Sequence, residues 1–201
     1  MQEPSRAAPL KVLRRDVSAH GIEFPEADWK ALSEQWCEVT IDKRREVFAN
    51  GTRHEGLLFV THGICAAQFA LPDGHMVISR FFEARDLCAV IEFTHMGLPI
   101  ENSIVAVTPV EGVMIPKEFW KSEHLDGHMF GPYARQKMYK QHLFEIDILN
   151  VKTVNRTEVS YNFLRERHPT VLELVPQTMI AQFCGITPEG FSRFLRNYSG
   201  R

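Results

Sequence analysis

Residues 177–198 read QTMIAQFCGITPEGFSRFLRNY. Pro176 is placed to open a helix, and Gly185 to end it in the left-handed conformation of a tight turn. Thr187 then makes a good N-cap and Pro188 a good first helical residue, so a second helix starts about three residues later. Two short helices across so brief a turn form a helix-turn-helix pattern. Ala181 falls where the two helices must approach closely, and Phe191 locks the second helix into the core. Ile180, Ile186 and Phe194 complete the apolar set.

The second helix divides into two faces. Phe191, Phe194, Leu195 and Tyr198 form one i, i+3, i+4, i+7 stripe and are expected in the core. Glu189, Ser192, Arg193 and Arg196 repeat that spacing on another face. Arg bonds guanine O6 and N7, Glu accepts from cytosine N4, and Ser serves either partner. With Gln177, Thr178 and Thr187 at the helix starts, these are the candidate DNA-binding residues. A solvated charged face on an ordinary helical hairpin is the plainer alternative.

Charge along the chain agrees with a reading head. The formal net charge over 201 residues is −2, which argues against a wholly basic protein that coats nucleic acid. Residues 1–150 hold 16 Lys+Arg against 21 Asp+Glu, whereas residues 151–201 hold 7 against 4. An acidic body carries a basic tail.

Upstream, residues 39–115 alternate short β-branched or aromatic runs with Gly, Asn and Asp punctuation. The runs are CEVTI, REVFA, LLFVTH, ICAAQFAL, HMVISRFF, NSIVAV and GVMI. Leu71-Pro72-Asp73-Gly74-His75 is a hairpin turn, because Pro fixes φ and Gly supplies a positive φ. Seven or eight such strands predict an antiparallel barrel or sandwich. Residues 1–20, with Pro4, Pro9 and scattered charge, read as a loose lead-in. Trp29, Leu32 and Trp36 predict a helix from Pro25 to about residue 37. Further helices are expected after Pro116, over about 128–149, and through the remaining tail.

The other residue patterns carry less. The first residues lack an apolar signal region and no apolar run would span a bilayer, so a cytoplasmic protein without membrane contact is expected. Cys37, Cys65, Cys88 and Cys184 form no C-x-x-C pair and read as small hydrophobes without a disulfide or zinc role. His54-Glu55, His62, His75 and His95 contain no H-x-H pair. His124 and His128 share a helix face, but with Gly127 between them and no carboxylate motif. No metal or cofactor is expected. Lys43-Arg44-Arg45 reads as a solvated hairpin edge.

At these residues the chain resembles the Crp/Fnr family of bacterial transcription regulators, over residues 24–198. IAQFCGITPEGFSRFLRN is similar to the family's helix-turn-helix, and Glu189-x-x-Ser192-Arg193 to the E-x-x-S-R recognition motif of Fnr-like members. VFANGTRHEGLLFVTHGICAAQF, DGHMVISRFFEARDL and NSIVAVTPVEGVMIP resemble parts of a cyclic-nucleotide-binding β-roll. The resemblance implies an α+β fold: a lead-in (1–22), an antiparallel β-roll of double-stranded β-helix or jelly-roll type (23–126), a dimerisation helix (127–150) and an all-α helix-turn-helix domain (151–201). It implies Glu189, Ser192 and Arg193 as base contacts and Arg196 as a phosphate contact. The expected partners are double-stranded DNA, a second copy of the chain and RNA polymerase, with an unknown small-molecule effector or none. The expected function is transcription regulation, not an enzymatic reaction.

Three departures shape that expectation. Aligned on Ile115-Pro116, the family's phosphate-binding Arg and the residue after it become Ile100 and Glu101, and its Gly-Glu pair falls near Ala89-Val90. A cyclic phosphate would lose its bidentate cation and meet a carboxylate, so cAMP and cGMP binding is not expected. The effector pocket, if used, would involve Ala89, Val90, Ile91, Ile100, Glu101 and Asn102. Phe81, Phe82, Leu87, Ile91 and Phe93 would fill it as ordinary core. The N-terminal cysteine cluster of iron–sulfur members is missing, and a wing after the recognition helix is expected to be truncated or absent. The alternatives are a cyclic-nucleotide-binding-like effector or protein-interaction module without DNA binding, and a metal-dependent β-barrel enzyme.

Overall fold

The computed structural model describes residues 8–51, 56–88, 102–116, 119 and 130–198. Two helices lead, α1 (Pro9–Ala19) and α2 (Glu26–Ser33). Eight strands follow: β1 (Cys37–Ile41), β2 (Glu46–Phe48), β3 (Gly56–His62), β4 (Cys65–Ala70), β5 (Met76–Phe82), β6 (Leu87–Cys88), β7 (Ser103–Ala106) and β8 (Val110–Pro116). The rest is helical: α3 (Gly131–Thr153), α4 (Thr157–Arg167), α5 (Pro169–Leu174), α6 (Gln177–Cys184) and α7 (Pro188–Tyr198).

The strands form two antiparallel four-stranded sheets, ordered β1-β8-β3-β6 and β2-β7-β4-β5. Leu58, Val60, Cys88 and Val110 of the first sheet meet Cys65, Ala67, Phe82, Ile104 and Ala106 of the second in one buried cluster. This is the expected β-roll. The outer faces are covered as well. Leu57, Phe59, Val113 and Ile115 pack under Leu13, Val17 and Trp29 of the leading helices, Trp36 before β1, and Tyr133 of α3. Ala66, Ile78 and Phe81 pack under Ile180, Ala181 and Phe183 of α6. Strands buried on both faces read as continuous apolar runs, which is why LLFV and ISRFF show weak alternation.

Several local expectations hold. In the β4–β5 hairpin the Gly74 amide donates to the Leu71 carbonyl at 2.9 Å, with Gly74 at φ +85°. The Asp73 carboxylate accepts from the His75 amide at 3.0 Å.

Others are corrected. The lead-in carries α1 from Pro9, because Leu13 and Val17 are one helical turn apart and both are sealed against the roll. The helix after Pro25 ends at Ser33, and Trp36 is buried beyond its end rather than on it. The Lys43-Arg44-Arg45 segment is exposed but is no hairpin, since β1 and β2 belong to different sheets. Leu87-Cys88 forms a strand too short to show any period. Pro116 closes β8 opposite Gly56, and the helix expected to follow it lies outside the described residues. The long helix is described from Gly131 and runs on to Thr153. Phe82 fills the roll interior as expected, but Phe81 faces α6 instead and Leu87 packs on the outer face with α1, α2 and α3. Ile91 and Phe93 lie outside the described residues. No described helix is long and apolar enough to cross a membrane.

Candidate nucleic-acid interface

The two helices of the 177–198 segment are α6 and α7. Gly185 caps α6 at φ +72° and ψ +28°, and no atom lies within 4 Å of where a Cβ would stand. The position therefore requires glycine for its backbone angle and not for space. The Ile186 amide closes back on the Ala181 carbonyl at 3.1 Å, satisfying an end-of-helix acceptor. At the head of α7 the Thr187 hydroxyl accepts from the Gly190 amide at 3.1 Å, which is the N-cap bond.

The faces of α7 separate as the spacing requires. Phe191 is 1% exposed, and Phe194, Leu195 and Tyr198 are half-buried beside it. Tyr161 of α4 sits in the centre of this stripe, its ring 6.0 Å from Phe191, 5.4 Å from Phe194 and 5.1 Å from Tyr198. The Tyr198 hydroxyl donates to Asn162 Oδ1 at 2.6 Å and accepts from the Arg165 guanidinium. Glu189, Ser192, Arg193 and Arg196 are all exposed. Ser192 donates to the Pro188 carbonyl at 3.0 Å. Glu189, Arg193 and Arg196 make no ion pair among the described residues. Gln177, Thr178 and Thr187 are exposed too. The acceptor and donor groups expected to meet DNA thus lie on solvent-facing surface backed by an aromatic core.

Sequence reasoning missed what holds this unit in place. Phe183 of α6 packs on Phe81 of β5, with ring centroids 5.7 Å apart. Lys152, in the last turn of α3, donates to the Phe183 carbonyl and lies 3.6 Å from the Phe183 ring centroid. Burial pulls the Lys152 amine down to about 8, and the neighbouring Cys184 thiol is pushed up to about 11, again by burial. His168, between α4 and α5, pairs with Glu83 after β5. On the opposite side, Asp16 of α1 accepts from Tyr133 at 2.8 Å and pairs with Lys137 at 2.7 Å. Burial and the Asp16 charge raise the Tyr133 hydroxyl far above its usual value. The i, i+4 spacing of Tyr133 and Lys137 was visible in the sequence, but nothing in it pointed to residue 16.

Along α3, Tyr139, Leu143, Ile146 and Leu149 are exposed large apolar side chains. Their spacing of four, three and three residues keeps them on one stripe. The opposite side of the helix buries Tyr133, Ala134, Gln141 and Ile148.

Of the expected effector-pocket residues, Ala89, Val90, Ile91, Ile100 and Glu101 lie outside the described residues, and Asn102 is half-buried just before β7. His54, His95, His124 and His128 also lie outside them. Among the described residues no three His, Cys, Asp or Glu side chains gather as a metal site.

A two-sheet roll, a long helix with one open apolar stripe and a C-terminal helix-turn-helix define the fold of Crp/Fnr-type regulators. Comparison with solved structures agrees. A Crp/Fnr family regulator from Eubacterium rectale matches with a TM-score of 0.67 at 18% identity, over 88% of this chain and 84% of that one. FixK2 from Bradyrhizobium japonicum matches with a TM-score of 0.66 at 17% identity, over 82% and 85%. The c-di-GMP-responsive regulator CLP of Xanthomonas campestris matches with a TM-score of 0.63 at 14% identity, over 88% and 92%. No protein-family model matches the sequence, and no curated protein is similar enough to count as a relative. At these identities the likeness establishes the fold.

Proposed function

We propose that this protein is a transcription regulator that binds double-stranded DNA as a homodimer and carries out no enzymatic step. The observation that carries the reading is the amphipathic division of α7: a capped helix, anchored by Phe191 and Tyr161, with Glu189, Ser192, Arg193 and Arg196 open to solvent. In a helix-turn-helix protein such a helix lies in the major groove, and its N-terminal residues meet base edges. Glu189, Ser192 and Arg193 are the base readers, Arg196 binds phosphate, and Gln177, Thr178 and Thr187 supply flanking contacts near the helix starts.

The second copy is proposed to dock on the stripe of Tyr139, Leu143, Ile146 and Leu149, burying apolar area that one chain leaves in water. A two-fold pair places the two α7 helices on half-sites about 34–36 Å apart. The roll is proposed to bind no cyclic nucleotide, since Ile100 and Glu101 replace the cation and hydroxyl a cyclic phosphate needs. RNA polymerase is the proposed further partner, and the cytoplasm the proposed location.

Selection of binding sites from random DNA tests this reading. The expected result is a palindromic site whose affinity falls steeply with salt. Recovery of no preferred sequence, with no salt-dependent affinity for any pool, would refute it in favour of a protein-interaction module.

A further inference from the structure

A cavity of about 210 Å³ opens where three distant parts of the chain meet: the end of β5 with the turn after it, the middle of α3, and His168. Five basic side chains line it, Arg80, Arg85, Lys137, Lys140 and His168, against one carboxylate, Asp86. Three of the five have carboxylate partners. Arg80 bonds Glu145 at 3.0 Å, Lys137 pairs with Asp16 at 2.7 Å, and His168 pairs with Glu83. Arg85 and Lys140 have none among the described residues. Lys140 Nζ meets only His20 Nε2, at 3.0 Å.

Two further features point to an absent acceptor. Arg80 is 8% exposed, yet its Nε–H is a buried donor without a hydrogen-bond partner among the described residues. Such donors are rarely left unmet. Arg85 stands at φ +75°, a region that favours glycine. The turn closes without its side chain: the Asp86 amide donates to the Glu83 carbonyl at 3.0 Å, and Asp86 Oδ2 accepts from the Glu83 amide at 2.9 Å. An arginine kept in a strained position beside a cationic cavity points to use of its guanidinium. Burial pushes the Asp86 carboxyl above its usual range, which weakens the one anionic wall.

We propose that this cavity is a binding site for a small phosphate-bearing metabolite, with Arg85 and Lys140 at its exposed mouth and Arg80 and His168 behind. Donors converge from β5, the turn after it and α3, which suits a tetrahedral oxyanion better than the planar bidentate grip a carboxylate takes. The volume is below the roughly 300 Å³ at which drug-sized ligand pockets begin, so the ligand is smaller than a nucleotide. Occupation ties His168 to the roll and to α3, so a ligand here would favour the docked arrangement of the C-terminal helices. The site stands independently of DNA binding.

The test is thermal unfolding of the full chain with inorganic phosphate or glycerol phosphate, against potassium chloride and succinate at matched ionic strength. Phosphate is expected to raise the Tm above both controls. Arg85→Gly removes the cation and relieves the backbone, so the variant is expected to unfold no earlier than wild type without ligand. Its apparent phosphate affinity is expected to fall about tenfold, as is that of Lys140→Gln. The proposal is overturned if chloride or succinate matches phosphate, if phosphate has no effect, or if both variants titrate like wild type.

Discussion

Truncating Phe183 to alanine tests whether the helix-turn-helix is seated on the β-roll in solution. The side chain is 1% exposed, its ring lies 5.7 Å from that of Phe81, and Lys152 Nζ stands 3.6 Å from its centroid. Removing a buried phenylalanine side chain costs about 3–5 kcal/mol, from lost transfer energy and the cavity left behind. The hydrogen bond from Lys152 goes to the main-chain carbonyl of residue 183 and survives the change. For a chain of this length each kcal/mol lowers the Tm by about 2–4 °C, so a drop of roughly 6–20 °C is expected. Urea unfolding followed by both far-ultraviolet circular dichroism and tryptophan fluorescence measures the free-energy loss, because the three tryptophans all precede α3 while four of the seven described helices follow it. The two probes coincide only if the parts unfold together. The Phe81→Ala, Phe183→Ala double-mutant cycle is expected to show about 0.5–1.5 kcal/mol of coupling. A loss below about 1 kcal/mol for Phe183→Ala, additive with Phe81→Ala, would refute the docking of α6 on β5.

Three other perturbations probe separate links. Arg193→Ala is expected to cost about 1–3 kcal/mol in DNA affinity and to relax specificity at one base pair, measured by fluorescence anisotropy on the selected site; unchanged affinity and preference would remove Arg193 from the readers. Leu143→Asp places a charge on the exposed stripe of α3 without touching the monomer core, and light scattering is expected to show a monomer that keeps its circular dichroism. Lys152 supplies a pH dependence. Its native pKa, about 8, lies below the unfolded value of 10.5, so the unfolded chain binds more protons between these limits. Stability from this group therefore rises as pH goes from about 8 toward 10.5, and below pH 8 the protein bears the full cost of burying the ammonium. At about 1.4 kcal/mol per pKa unit, wild type should gain up to about 3 kcal/mol relative to Lys152→Met between pH 7 and 10.5. A difference between the two that stays flat over that range would contradict a buried ammonium.

The candidate interface was legible in the sequence because its determinants are local. Thr187 and Gly190 are three residues apart, as an N-cap and its donor must be, and Gly185 stands where a left-handed residue closes the turn. The two stripes of α7 follow from 3.6 residues per turn. Leu13 and Val17 carried the same kind of signal, but charge and prolines around them masked a helix that the roll stabilises by burial. Trp36 shows the reverse error. Its spacing from Leu32 matches a helix, yet the chain turns after Ser33 and the indole reaches the same core from the entry to β1.

By itself, then, the sequence determined the elements that rest on φ/ψ preference, capping and periodicity over a few residues: most strands, the β4–β5 hairpin, the long helix and the helix-turn-helix with its polar face. Tertiary structure alone decided which side of β5 each aromatic takes, sending Phe82 into the roll and Phe81 to α6. It also brought Arg80, Arg85, Lys137, Lys140 and His168 around one cavity. No local pattern encodes those meetings. They exist because apolar faces far apart in the chain bury one another, and the charged side chains at their margins are carried together.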